Sequence, residues 1–323
     1  NDMDTNTARG QEDAISDIPL GGTGVVGSMG VGGGGMAGCF GYRDGGGRRR
    51  AVARFGGSPA TESAVEAALR WLARHQEADG SWEAKKWEGH KGVVPGVTGL
   101  AVLAFLGAGY TEKSGKFRDN VRRGVKWLME HQRDDGALGV KYSEPWHGSF
   151  GGYNHPIAAL ALAEAYGMAK NPEVGKAAQK AVDYSLSAQG NYSGWRYKPQ
   201  QKADISVTGW YIMQLKSARI AGLKTDNTAF QGGLKFVDEC TDDEGRVGYQ
   251  NKKRGVPSLT GVGMVIRQFI GVPRTEKVMK QGGTYLIEDK NLPAWDEKNG
   301  RSATGGAVTF YHLIAVDVDA ERS

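Results

Sequence analysis

Three short segments carry side chains able to do chemistry: Tyr153-Asn154-His155-Pro156, Asp204-Ile205-Ser206-Val207-Thr208 and Asp238-Glu239-Cys240. His155 follows soon after Trp146 and His147; it could serve as a general base, although capping a helix or bonding a carbonyl is the simpler role. Asp204 could supply an acid, but a short carboxylate before Ser206 is first of all a helix N-cap. Asp238 and Cys240 would point about 200° apart on a helix, so joint chelation needs an irregular backbone. His75, His90, His131 and His147 are scattered, and neither a metal nor a cofactor is predicted. Trp87, Tyr197, Trp210 and Tyr249 suit an apolar or carbohydrate-like ligand. The ligand-binding candidates are Tyr153, His155, Asp204, Trp210, Trp146 and Tyr249.

The elements that must position these residues repeat. Trp71, Trp127, Tyr184, Phe236 and Tyr285 mark five amphipathic stretches at spacings of 56, 57, 52 and 49, each followed by a more apolar one. Five residues after the first three aromatics stand Gln76, Gln132 and Gln189, followed by Gly80 and Trp82, Gly136 and Leu138, and Gly194 and Trp195. A period of this length is a multiplied helix pair, because one pair cannot bury its own apolar face. Outer helices are predicted over 62–76, 117–132, 174–188, 228–240 and 275–288, and inner helices over 96–107, 155–168, 206–221, 258–270 and 305–316. Ser58, Pro59 and Thr61 give the first helix its start. Val65, Ala68, Leu69 and Leu72 should form its buried face, with Glu66 and Arg70 as an i,i+4 pair on the other side. The run Leu100–Leu106 is apolar all round and should be buried on all sides. The predicted fold is all-α: an α/α toroid of about five hairpins over 58–323, with a linear solenoid as the alternative.

Residues 1–57 form a glycine-rich arm, with Gly32 to Gly35 and Gly45 to Gly47 in unbroken runs. Ordering such a chain costs about 1–2 kcal/mol per residue in backbone entropy, so it needs contacts. Val25, Val31, Phe40 and Tyr42 are its candidate assembly anchors. The partner expected for them is a second copy, giving a homo-oligomer or filament; a wrap around its own repeats is the alternative. The net charge of +5 is spread over mixed-sign helices, and the cluster Arg48, Arg49, Arg50 and Arg54 has no interleaved aromatics, so nucleic acid is not an expected partner. No apolar run reaches the ~20 residues that span a bilayer. Two cysteines, Cys39 and Cys240, permit one disulfide and no framework. The first residue is Asn1, not methionine: either a leader or upstream segment has been removed or the sequence is only the ordered part of a longer chain, and a periplasmic or extracellular bacterial location is the expectation.

The segment Gln76-Glu77-Ala78-Asp79-Gly80-Ser81-Trp82, with weaker copies at Gln132–Leu138 and Gln189–Trp195, resembles the QW motif of the prenyltransferase and squalene-cyclase repeat superfamily. The resemblance covers about 58–318 and implies an α/α toroid in which glutamine and tryptophan tie successive outer helices together. It also implies that ligands sit at inner-helix starts. Cyclases of this kind initiate with a D-x-D-D-T segment; against it Asp204 and Thr208 match, while Ser206 stands where the proton donor should be and Val207 replaces the last aspartate. Cyclisation therefore loses its acid. The protein prenyltransferases hold zinc with Asp-x-Cys and a later histidine, which Asp238, Cys240 and His312 echo, but here the pair closes an outer helix. The expected function is a binding or self-assembling module without cyclase activity; the alternative is an enzyme of the terpenoid-cyclase or polysaccharide-active toroid class.

Overall fold

A computed structural model describes residues 43, 57–87, 89, 91–139, 151–191, 193–288, 291–292, 295–296 and 301–302. Among them the outer helices are α1 (Pro59–Arg74), α3 (Arg118–Glu130), α5 (Pro172–Ala188), α7 (Asn227–Glu239) and α9 (Lys277–Leu286). The inner helices are α2 (Val94–Gly107), α4 (Gly151–Ala169), α6 (Ile205–Ile220) and α8 (Pro257–Ile270). Sheet among the described residues is confined to an antiparallel pair, β1 (Trp295–Asp296) with β2 (Arg301–Ser302). This is the all-α hairpin repeat of the α/α-toroid class. The predicted inner helix over 305–316, the anchors Val25, Val31, Phe40 and Tyr42, and Cys39, His90, Trp146, His147 and His312 lie outside the described residues.

The chain divides into two compact units. The first holds Arg43, α1 to α4, α5 as far as Ser185, and Gln214–Thr225; the second holds Leu186–Met213 and everything from Asp226. In the first unit α2 and α4 pack closely because Gly99 lacks a side chain: a Cβ there would come within 2.9 Å of the Ala158 Cα. In the second unit Gly209 of α6 does the same for Val262 of α8, at 2.6 Å. Val102, Phe105, Leu106, Val121, Leu128 and Leu162 are fully buried in the core of the first unit.

Helix α1 starts as its residues dictate. Ser58 and Thr61 form a reciprocal capping box with Pro59 in the first turn. Its faces differ from the expectation, however. Glu66 is only 2% exposed, whereas Val65 is 39% exposed. The cause is Lys116, which arrives from the loop before α3 and, with Arg70, neutralises the Glu66 carboxylate inside the packed face. Leu100 likewise corrects the prediction for α2: it is 45% exposed, while Val102, Phe105 and Leu106 have no exposure.

Candidate functional site

The motif turns are built by one rule. The side-chain amide of the glutamine closing an outer helix donates twice, once to its own turn and once to the next outer helix. Gln76 Nε2 donates to Gly80 O (2.9 Å) and Asn120 O (3.0 Å). Gln132 Nε2 reaches Gly136 O (3.0 Å) and Ala177 O (2.9 Å), and Gln189 Nε2 reaches Ser193 O (2.6 Å) and Ala229 O (2.9 Å). Gly80 and Gly136 take positive φ, 101° and 89°, in close contact with the following outer helix; a Cβ at Gly136 would come within 2.2 Å of Lys180 O. The third turn departs, since Ser193 occupies the fourth place after the glutamine and Gly194 the fifth. A fourth turn, Thr241 to Val247, repeats the geometry with threonine for glutamine: the bridge Thr241–Val247 matches Gln132–Leu138, and Gly245 has φ 79°.

The large apolar residue ending each turn is buried: Trp82, Leu138, Trp195 and Val247. The Trp82 indole lies against Gly124 of α3 and donates to Leu72 O at 2.9 Å. In every case the backbone N–H of this residue donates to a side chain in the first turns of the inner helix. The acceptors are Thr98 Oγ1 (3.1 Å), His155 Nδ1 (3.0 Å), Thr208 Oγ1 (3.0 Å) and Thr260 Oγ1 (3.0 Å). His155 thus occupies a threonine position of the repeat. Because Nδ1 accepts, the proton sits on Nε2, which donates to Ser185 Oγ (2.9 Å), and Ser185 donates on to Ala181 O (2.9 Å). Burial pushes the imidazole down to about 3, with Arg133 adding repulsion against a partly offsetting bond to Ala181. A neutral ring with both nitrogens engaged is a scaffold acceptor, not a base poised for proton abstraction.

Asp204 takes the cap position. Its Oδ1 accepts from Val207 N (2.9 Å) and Ser206 Oγ (2.8 Å), and its own N–H donates to Trp195 O (3.0 Å). Burial raises its carboxyl above the usual range, against the lowering effect of the Val207, Ser206 and Tyr249 hydrogen bonds and the Arg196 charge. Oδ2 lies 3.9 Å from Arg196 Nε. The Tyr197 and Tyr249 hydroxyls are 2.6 Å apart, and Ile205 N–H donates to Tyr249 O (3.1 Å). Asp204, Tyr249 and Arg196 are therefore brought together in the second unit, where Trp210 is also buried, while Tyr153 and His155 belong to the first. The sequence offered Asp204, Arg196, Tyr197 and Tyr249 as separate candidates; that they meet in one cluster comes from the fold.

The Asp-x-Cys segment does not fit a zinc ion. Asp238 is ion-paired with Arg267 (2.7 Å), and Cys240 is the buried C-cap of α7, its thiol pushed up to about 12 by burial and by the Glu239 charge. A metal needs the thiolate. Among the described residues no group of three metal-type ligands occurs.

One open concavity, about 310 Å³, lies in the first unit between Trp71, His75, Trp82, Trp87, Val97 and Leu100. His75 stacks on Trp71 with centroids 4.1 Å apart, and Trp87 stands 5.3 Å from both rings. His75 Nδ1 donates to Trp71 O (2.7 Å), as His131 Nδ1 does to Trp127 O (2.8 Å), so both histidines close helix ends. The sequence offered Trp87 as a ligand contact, but nothing in it distinguished Trp71 from its repeat partner Trp127.

With this geometry known, the comparisons are informative. Residues 49–152 match the squalene-hopene cyclase C-terminal domain. Over that stretch the repeat is similar to that of the prenyltransferase and squalene-cyclase superfamily. A crystal structure of a protein from Actinoplanes superposes with a TM-score of 0.52 at 15% sequence identity, over 81% of this chain and 84% of that one, a likeness of fold alone. No curated protein matches the chain. Among the described residues no helix is long and apolar enough to cross a membrane.

Proposed function

We propose that this cyclase-type repeat chain is a binding or self-assembling module without cyclase activity. The observation that carries the reading is the fate of the inner-helix starts. Thr98, His155, Thr208 and Thr260 are all spent on holding turn amides, and Asp204 is spent on capping α6. Ser206, in the proton donor's place, donates to Asp204 and offers no strong acid. An apolar, aromatic-walled concavity stays accessible on the first hairpin, suited to an apolar or carbohydrate-like ligand. The assembly element is the glycine-rich arm, whose partner is a second copy in a homo-oligomer or filament. Removing residues 1–57 and measuring mass in solution tests this: a lower assembly state is expected, and an unchanged one removes the role of the arm. A periplasmic or extracellular location belongs to the same proposal; recovery in the cytoplasmic fraction of a bacterial host would contradict it.

One observation favours the enzymatic alternative. Asp204 is a buried carboxyl with a raised pKa beside Arg196, Tyr197 and Tyr249, an environment that can keep an acid protonated. In that reading the chain is a toroid enzyme of the terpenoid-cyclase or polysaccharide-active kind, with Asp204 as its acid.

A further inference from the structure

The side chains that α1 leaves in the open are not those of a solvent face. Ala64, Val65, Ala67, Ala68 and Trp71, on one side of the helix, are exposed. No charged residue of α1 before Arg74 is, since Glu66 is buried and Glu62 and Arg70 are half-buried. The other outer helices expose charge in their middle turns: Arg122 and Lys126 on α3, Lys176 and Asp183 on α5, Lys235 on α7 and Lys280 on α9. In repeat register the open stripe of α1 matches a covered one. Val65 corresponds to Val121, Ala68 to Gly124 and Trp71 to Trp127, all buried on α3, with Gly124 against the Trp82 ring. Leu100 of α2 corresponds to Ile157 of α4, and is exposed where Ile157 is buried. Trp87, 5.3 Å from Trp71, extends the apolar patch. A repeat whose flank faces water ordinarily carries a polar one; this flank has the composition of a packed interface.

We propose that this stripe is the contact by which a second copy of the chain docks, α1 against α1 about a two-fold axis. The contact deepens the self-assembling reading, on which it rests, but makes no use of the arm. Charge and shape both name the second copy as occupant. With the axis perpendicular to α1 the paired helices run antiparallel. Centred on Ala68, the axis sets Val65 against the second copy's Trp71 and Glu62 against the second copy's Arg74, and each contact is made twice. A parallel pairing would instead bring like charges together at both ends. Between those ends the stripe is uncharged, so no repulsion opposes its meeting itself. Ala64, Ala67 and Ala68 at the centre let the helix axes approach closely, while Val65 and Trp71 supply the apolar area. Trp71 is the anchor, a large aromatic that leaves water when the second copy arrives. The contact is reversible: on dilution below its dissociation constant the face is bare, and Trp71 then behaves as a surface residue.

The test measures the mass of the full chain by light scattering, at concentrations on the order of 100 μM, where a contact with a micromolar dissociation constant is filled. Wild type should exceed the mass of one chain. Val65→Arg sets a charge into the stripe without touching the core, and should lower that mass at least about twofold with helical circular dichroism unchanged. Wild type at the mass of a single chain, or an unchanged mass in folded Val65→Arg, overturns the interface. Should Val65→Arg not fold, cross-linking decides. With Cys39→Ser as background, Ala68→Cys at the two-fold should form a disulfide-linked pair at least about tenfold faster than Lys126→Cys on α3, because only the first brings two thiols within bonding distance. Equal rates overturn the proposal, the result expected if a segment of the same chain covers α1. A mass lowered by removing residues 1–57 but not by Val65→Arg would keep the arm and remove this interface; the converse would remove the arm and keep the interface.

Discussion

The helix ends Trp71–His75 and Trp127–His131 contain the same two residues at the same spacing, with the same stacking and the same imidazole-to-carbonyl bond. Yet Trp71 is 41% exposed and Trp127 only 6%. The difference is the preceding turn. Asp79 Oδ2 accepts the Trp127 indole N–H at 3.1 Å, and the rest of the Gln76–Trp82 turn closes on α3. In the described residues no such turn precedes α1, and Trp71 instead meets Trp87 at the rim of the open concavity. Identical sequence signals thus mean surface in the first repeat and core in the next, according to whether a neighbour covers them. Val65, Trp71, Trp87 and Leu100, four of the exposed large apolar side chains, all lie on this first hairpin.

The comparison can be broken most sharply by truncating both indoles. Trp127→Ala should cost about 3–5 kcal/mol of unfolding free energy, the usual cost of emptying a core aromatic site. Trp71→Ala should cost less than about 1 kcal/mol, as surface substitutions do. Equal losses in urea denaturation would show that Trp71 is covered in solution.

A second effect concerns the inner-helix starts. His155 has a folded pKa of about 3 against 6.5 unfolded, so below pH 6.5 the unfolded chain takes up a proton that the folded one refuses. Stability should therefore be complete above about pH 6.5 and fall steadily toward pH 3, by an amount of order 4 kcal/mol from this group. His155→Thr restores the residue type of the other repeats, keeps an acceptor for Leu138 N–H, and should abolish that limb of the pH profile. His155→Ala should be about 1–2 kcal/mol less stable than His155→Thr at pH 7, because the Leu138 amide is then buried without a partner. A profile unchanged in both variants would contradict the assignment.

The smallest effect belongs to Asp79. Burial alone would raise its carboxyl, but hydrogen bonds from Ser81 N and Oγ and from Trp127, with the nearby His131, hold it below the ordinary value. A depressed folded pKa contributes stability at neutral pH that disappears as pH falls below about 4. Asp79→Asn should lower neutral stability by about 1 kcal/mol and flatten this acid limb. The effect should shrink, to the part owed to the Ser81 bonds, when Trp127 is already alanine; full additivity of the two substitutions would show that the indole bond contributes nothing.

Much of this was legible before any coordinates. The aromatic spacing predicted five outer helices and five inner ones; all five outer and the first four inner lie close to their observed bounds, and the fifth inner range lies outside the described residues. Gln76, Gln132 and Gln189 announced the ties between outer helices. What escaped has physical causes. The fourth turn was hidden because Thr241 replaces glutamine, with Arg267 donating to its hydroxyl at 2.7 Å. Glu66 reads as a surface residue until Lys116, fifty residues away, is brought to it. His155 looks reactive in isolation; only its alignment with Thr98, Thr208 and Thr260 shows that it bonds a backbone amide. Terminal exposure, finally, is a property of neighbours and cannot be read from one repeat.

The central claim is that the inner-helix starts hold the scaffold and do not initiate cyclisation. The most direct measurement incubates the purified full chain with a squalene-like polyene and analyses the extract by mass spectrometry, beside an Asp204→Asn variant. The account predicts unchanged polyene from both proteins, and a variant that still folds, since an asparagine oxygen can accept from Val207 and Ser206. A cyclised product from wild type that disappears in Asp204→Asn would show that the buried acid is catalytic, and would contradict it.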